Sequence, residues 1–246
     1  MGATSTSTGT PTRLRVQPAI AGRVIELLVH HDGGLTELVE ADPGLCAVVV
    51  RAANSAHLGL SRRVGGVRQA MVLLGQDATT ALAVARTAEL VFEDGSDVPN
   101  PPSWVWPHAV GVATASAWLA RRMDVNPEHA YTAGLLQNLS VLAGERHDPD
   151  HGERAADTLE HWNFPDAIVS AVRNHHRPLD DVFAPLDRVV VCARTIAAEA
   201  GLPDSRPVTP MLHVLRGAAL GRNEVDAAVK DVTRAIDALV RLAAPR

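Results

Sequence analysis

Aromatic side chains make up only 3% of this 246-residue chain, although 46% of its residues are hydrophobic. Sheets are usually stabilised by aromatic and β-branched side chains, whereas small apolar side chains such as alanine let helices approach one another closely. No segment shows the alternation of apolar and polar residues that is typical of a half-buried strand. The sequence therefore predicts an all-α protein.

The charge balance and the hydropathy exclude several classes of protein. The chain has 23 Lys and Arg against 28 Asp and Glu, a formal net charge of -5, which argues against a protein that binds nucleic acid by neutralising its phosphates. No apolar run approaches the roughly 18–20 residues of a membrane-spanning helix, and the first residues lack the apolar stretch of a signal peptide. We expect a cytoplasmic protein with no nucleic-acid or membrane partner.

Composition also predicts how the chain is divided. Residues 1–12 are rich in Thr, Ser, Gly and Pro and have nothing to bury, so we expect a disordered tail. Residues 13–246 are interpreted as a single domain of two helical lobes. The segment 93–103 collects three prolines, one glycine and three acidic residues, a composition typical of an exposed connection. This linker separates a lobe over 13–92 from a lobe over 104–246.

Capping signals predict where the helices begin and end. Asp42-Pro43 predicts an N-cap followed by proline at the first helical position, and Asn54-Ser55 predicts the end of that helix. A short helix from Val67 is expected to end at Gly75, and a longer one capped by Asp77 is expected over 77–92. With the earlier helices from Ile20 and from Leu35, this gives five short helices in the first lobe. In the second lobe, helices are predicted at 104–122, 127–142, 151–162, 165–175 and 185–200.

Two stretches of the chain carry a family pattern. The first, Leu38 to Gly75, contains ADPGLCAVVVRAANSAHLG and VRQAMVLLG. The second, Trp106 to His176, contains WPHAVGVATASAWLA, AGLLQNLSVL, HGERAADTLEHWNFP and AIVSAVRNHHRP. Both resemble the HDOD family, the HD-related output domain of bacterial signalling proteins. The residues of this pattern that we interpret as structural are Asp42, Pro43, Arg51, Asn54, Ser55, Gly75, Trp162 and Pro165.

The resemblance implies a two-lobed helical fold and a position where a metal site would lie. In the parent HD superfamily, a His on one helix and an adjacent His-Asp pair on the next bind a divalent metal, with a further Asp downstream. Here His108 corresponds to the first His, but Gln137 and Asn138 replace the His-Asp pair, and the downstream position falls near Arg194. Neutral amides are weak ligands, and a guanidinium repels a cation. We therefore expect neither metal, cofactor nor catalysis at these positions.

Three further histidines in the second lobe are candidate ligands: His151, His175 and His176. Adjacent residues on a helix point about 100° apart, so we expect at most one of His175 and His176 to face the pocket of His108. We favour a polar seam, in which these rings are hydrogen-bonded between helices, over metal binding.

The resemblance implies a non-catalytic module of bacterial signal transduction, acting as a stand-alone adaptor that binds a protein partner in trans. Candidate docking surfaces are the lobe junction and the apolar stripe of the last helix, formed by Val225, Val229, Val232, Ile236 and Leu239. One alternative is a divergent metal-dependent phosphohydrolase, which would add a carboxylate such as Glu153 or Asp157 to the histidines. Another is a sensor that binds a small molecule, such as a nucleotide, in the vestigial pocket.

Overall fold

The computed structural model describes residues 14–30, 34–55, 63–92, 101–202, 204 and 206–243. Within these ranges all regular structure is helical, with thirteen α-helices and one short 3-10 helix at Leu179–Asp181. The all-α prediction is confirmed. The predicted disordered tail 1–12 and most of the predicted linker 93–103 lie outside the described residues.

The first lobe contains the five predicted helices: α1 (Pro18–His30), α2 (Leu35–Ala41), α3 (Pro43–Ala53), α4 (Val67–Leu74) and α5 (Gln76–Phe92). Asp42 caps α3 through a hydrogen bond of 2.9 Å from the backbone N–H of Leu45. Gly75, with φ +79°, ends α4 as predicted and also accepts from the backbone N–H of Thr79. The prediction that Asp77 caps α5 is wrong: Gly75 is the only residue between the two helices and α5 begins at Gln76, so Asp77 already lies in its first turn.

The second lobe contains eight helices: α6 (Val105–Ala120), α7 (Pro127–Leu136), α8 (Leu139–Leu142), α9 (His151–His161), α10 (Asp166–Asn174), α11 (Pro185–Glu199), α12 (Met211–Gly217) and α13 (Arg222–Ala243). The single helix predicted over 127–142 is broken, because the backbone of Asn138 (φ -105°, ψ 26°) leaves the helical region. This break separates α7 from α8 at the Gln137-Asn138 pair.

Helix α6 is the centre of the second lobe, buried on nearly every side by α7, α11 and α13. It approaches α7 closely at Gly134. A Cβ added there would lie 2.8 Å from the backbone Cα of Ala113. The small side chains inferred from the composition thus permit a helix contact that brings the end of α7, with Gln137 and Asn138, against α6.

We expect Gly134→Ala to lower the free energy of unfolding by about 1–3 kcal/mol, because the two backbones must separate to admit the methyl group. Gly111→Ala, on α6, is the matched control: its methyl would clash with the terminal Cδ1 of Leu202, which can move aside, and would otherwise make ordinary contact with Val232. Both changes gain about 1 kcal/mol of helix propensity. The difference between the two variants in the free energy of urea unfolding therefore measures the cost of separating α6 from α7. Equal losses in the two variants would contradict this explanation.

The apolar stripe of α13 is part of the core. Val225 and Val232 are completely buried and Leu239 is nearly so, and α13 packs against α6 and α1. The expectation that this stripe is a docking surface is therefore wrong, because the chain's own helices cover it.

Asp42 joins the two lobes at a completely buried position. Besides capping α3, its carboxylate accepts from the backbone N–H of Gln17 at 2.8 Å and from Nε1 of Trp106, on α6, at 3.1 Å. Tyr131 on α7 donates to the backbone oxygen of Glu40 at 2.9 Å. These hydrogen bonds fix the start of α3 against α6 and the end of α2 against α7.

Among the described residues, no helix combines the length and apolarity required to cross a bilayer.

Candidate functional site

A buried ion pair occupies the neighbourhood of His108. Nε of Arg194, on α11, donates to Oδ2 of Asp204 at 2.8 Å, and both side chains are almost completely buried. The same Oδ2 lies 3.7 Å from Nε2 of His108. Nη1 of Arg194 also donates to the backbone oxygen of His175 at 2.7 Å. The structure thus brings His108 and Arg194 together through Asp204, a residue that the sequence analysis did not single out.

The charge of Asp204 is balanced by Arg194. Burial alone would raise the pKa of the Asp204 carboxyl, but the hydrogen bond and the positive charge of Arg194 outweigh burial and lower it. The carboxylate is therefore ionised and already engaged. A metal ion bound at His108 would have to compete with a guanidinium that cannot lose its charge.

Gln137 and Asn138 stand at the break between α7 and α8 and are buried. Within the described part of the chain, both amide atoms of Gln137 and Oδ1 of Asn138 have no hydrogen-bonding protein partner. Amide oxygens are weaker metal donors than imidazole and carboxylate. Together with the Arg194–Asp204 pair, these residues do not fit the metal site of the HD superfamily.

Four histidine rings form a second group, here called the histidine cluster: His147, His151, His175 and His176. Nε2 of His151 lies 3.2 Å from Nε2 of His175 and 3.2 Å from Nε2 of His176. The rings of His147 and His151 have centroids 4.1 Å apart. Ser140 on α8 donates to the backbone oxygen of His151 at 2.9 Å, which ties the cluster to the Gln137-Asn138 break.

His175 and His176 are not held apart by the 100° rotation on which the expectation for the pocket of His108 was based. Helix α10 ends at Asn174, so both histidines lie in the following turn, where the 100° rotation of a helix does not separate them. Both rings therefore turn towards His151, at centroid distances of 5.1 Å and 4.8 Å.

The cluster is neutral near pH 7. Burial lowers the pKa of His151 to about 4, although its hydrogen bond to Asp148 acts in the opposite direction. Burial and then the charge of Arg194 hold the pKa of His175 well below its ordinary value. Burial and the neighbouring His175 lower the pKa of His176, and burial also lowers that of His147. Neutral imidazoles offer lone pairs to a hydrogen-bond donor or to a cation.

Trp104 connects His108 with the cluster. Its ring lies edge-on to the rings of His108 and His147, with centroid distances of 5.7 Å and 5.2 Å. His147, Trp104 and Asp204 were not predicted as site residues. Asp204 had a usable signal, since an arginine within the apolar run of α11 requires a buried acidic partner; His147 had none beyond its four-residue distance from His151.

The carboxylates suggested for an enzyme do not reach the cluster. Glu153 and Asp157 are exposed on α9, where they accept from Arg173 at 2.8 Å and 2.9 Å. They therefore form a surface ion-pair network on the outer face of α9.

The family-pattern residues outside this region have structural contacts. Asn54 ends α3, and its amide exchanges two hydrogen bonds of 2.7 Å with the backbone of Val64. The guanidinium of Arg51 lies 5.0 Å from the ring centre of Trp162, which is buried. Pro165 precedes α10, which begins one residue later than predicted; Ser55 is exposed at the bend after α3.

A cavity of about 490 Å³ lies at the junction of the two lobes. Its charged lining comes from both lobes and consists of Glu40, Arg68, Arg121 and Glu128. Arg68 is engaged with Glu40 through two hydrogen bonds of 2.8 Å and 3.2 Å. Unlike the α13 stripe, the junction has an accessible cavity, so it stays a predicted docking surface.

Comparison with known proteins agrees with this architecture. Residues 14–154, more than half of the chain, match the family model of the HDOD domain. The chain belongs to the HDOD domain family. The MmoQ response regulator of Methylococcus capsulatus shares the fold of this HDOD protein with a TM-score of 0.73 at 20% identity, over 88% of this chain and 98% of that one.

Two curated relatives are similar over part of their length. Ribonuclease Y of Malacoplasma penetrans is 27% identical over 85 residues, 34% of this chain. An uncharacterized protein of Treponema pallidum is 22% identical over 194 residues, 66% of this chain. The matches span only 18% and 36% of the lengths of those two relatives.

Proposed function

We propose that this HDOD domain is a non-catalytic regulatory module of bacterial signal transduction that acts by binding a protein partner. The observation that carries the proposal is the buried Arg194–Asp204 pair beside His108. A water-activating metal requires lone-pair donors and a balancing anion at this position. Here the carboxylate is bound by a fixed cation, and the amides Gln137 and Asn138 replace the strongest ligands. HDOD membership supports the signalling role.

The rival function is a divergent metal-dependent phosphohydrolase. The histidine cluster and the partial similarity to a ribonuclease are the observations in its favour. It requires a carboxylate beside the metal, and the two suggested on α9 are exposed and bound to Arg173. For this reason we rank the phosphohydrolase below the regulatory module. A sensor that binds a nucleotide without hydrolysing it has the same rank as the phosphohydrolase.

Hydrolysis assays on the full chain test the non-catalytic part of the proposal. The chain is incubated with Mn²⁺, Mg²⁺, Fe²⁺ or Zn²⁺ in turn and with cyclic dinucleotides, nucleotides and short RNA as substrates. We expect no turnover above that of the metal alone. Turnover by the wild-type chain that is lost in His108→Ala would overturn the proposal.

Partner capture with charge-reversal variants tests the interaction. Arg121, at the rim of the junction cavity, is exposed, and we expect Arg121→Glu to lose a partner that the wild-type chain retains from a lysate of its native host. Arg234→Glu, on the exposed side of α13, is the matched control and should retain it. A partner held equally by both variants would contradict the assignment of the junction as the docking surface.

A further inference from the structure

A separate cavity of about 360 Å³, here called the α3–α9 cavity, lies between α3, α5 and the end of α9. Its apolar wall comes from Val48, Ala52 and Leu82, which are all half-buried, and its lining also includes the guanidinium-bearing Arg51. A cavity of roughly 150 Å³ is enough to hold a benzene ring. The α3–α9 cavity can therefore admit an aromatic side chain.

Arg51 gives this cavity a positive charge that its lining does not balance. No Asp or Glu is among the lining residues, and within the described part of the chain no carboxylate forms an ion pair with Arg51. The guanidinium is instead held 5.0 Å from the ring centre of the buried Trp162, so it is already positioned to receive an anion. The cavity fits a partner that carries an aromatic side chain next to negative charge.

The chain itself exposes such a segment just before α11, residues 179–184, here called the Phe183 turn. Phe183 is 83% exposed, and aromatic side chains are the preferred anchors of protein interfaces. The neighbouring Asp180 and Asp181 are exposed as well, and the turn has no basic residue. None of these three side chains lines the α3–α9 cavity of its own chain.

The Phe183 turn is held in one shape by its own contacts. Leu179 and Val182 are buried. Nη1 of Arg188, on α11, donates to the backbone oxygen of Leu179 at 3.3 Å and to that of Val182 at 3.0 Å. Because the backbone is already fixed, little conformational freedom is lost when the exposed ring is bound.

We propose that the Phe183 turn of one copy of this chain docks into the α3–α9 cavity of a second copy. Phe183 then lies against Val48 and Leu82, and the acidic side chains of the turn pair with Arg51. The contact joins two different surfaces, so it is heterologous and can continue beyond two copies. One turn in one cavity buries a small area, and we expect weak association that depends on concentration.

Sedimentation velocity of the untagged full chain over a range of concentrations tests this association. We expect the mean mass of the wild type to rise with concentration and the association to weaken with added salt. Phe183→Ser and Arg51→Glu should each weaken it by about tenfold or more. Val72→Ser is the matched control for Phe183, because Val72 on α4 is also 83% exposed, and Arg234→Glu is the control for Arg51; both should associate as the wild type does.

A mixture of the two disruptive variants separates this contact from a general loss of folding. Phe183→Ser keeps an intact cavity and Arg51→Glu keeps an intact turn, so each variant lacks only one side of the contact. Neither should associate alone, whereas an equimolar mixture should form a complex with one copy of each. Circular dichroism of each variant identifies any that fails to fold.

A photoreactive phenylalanine analogue at position 183 shows where the turn docks. We expect crosslinks to α3 or to the end of α9 in another copy. A wild-type chain that stays monomeric at about 0.1 mM, or a mixture of folded variants that associates no more than its components, would overturn the proposal. Crosslinks in a host lysate to a different protein alone would assign the turn to that protein and refute the second copy. The proposed regulatory function is tested separately, through Arg121 at the lobe junction.

Discussion

Arg194→Met should lower the free energy of unfolding by about 3–5 kcal/mol, because it leaves the charge of Asp204 buried without its partner. The guanidinium and the carboxylate are almost completely buried and 2.8 Å apart. The same substitution removes the hydrogen bond to the backbone oxygen of His175. Chemical unfolding at neutral pH measures the loss.

A double variant separates the energetic effect of the ion pair from that of the packing of the arginine side chain. Arg194→Met/Asp204→Asn removes both charges and should recover at least half of the loss of Arg194→Met alone. Arg234→Met, which breaks the exposed pair with Asp231, is the control and should cost no more than about 1 kcal/mol. If the double variant is as unstable as Arg194→Met, the loss of stability comes from lost packing of the Arg194 side chain and not from the unpaired charge.

Local signals predicted the first lobe well. Asp42-Pro43 determines the start of α3 and Gly75 the end of α4, because each acts through its own backbone and the adjacent turn. The structure places both boundaries where the sequence predicts them. The break at Gln137-Asn138 was not predicted because the helix propensities of these two residues do not require a helix to end there. The close contact of α7 with α6 at Gly134 depends on tertiary packing.

The candidate site was predicted only in part for the same reason. The loss of the HD ligands could be recognised from Gln137, Asn138 and Arg194, since residue identity alone determines whether a side chain can donate to a metal. Asp204 and His147 lie in irregular segments, where spacing along the chain gives no direction in space. Their proximity to Arg194 and His151 depends on tertiary packing, in which α10 packs against both α9 and α11.

Asp42 should make the stability of the chain depend on acid pH in an unusual direction. Burial raises the pKa of its carboxyl from 3.8 to about 6, although the hydrogen bonds from Gln17, Leu45 and Trp106 partly oppose burial. Because the folded pKa is the higher one, protonation favours folding. The stability gained is fully present below about pH 4 and is lost as the pH rises through about 6, and this interval corresponds to about 3 kcal/mol.

Comparison with Asp42→Asn isolates this dependence, because the asparagine cannot titrate and all other groups are common to both chains. Urea unfolding from about pH 4 to about pH 7.5 should show the wild type gaining stability over Asp42→Asn as the pH falls. Trp106→Phe removes the donor at 3.1 Å that favours the ionised form, so the pH dependence should extend to higher pH in this variant. Asn126→Ala, which deletes the exposed cap of α7, should cost about 1 kcal/mol at every pH. A constant difference between wild type and Asp42→Asn would mean that the three hydrogen bonds outweigh burial and that the lobe junction is held by a permanent charge.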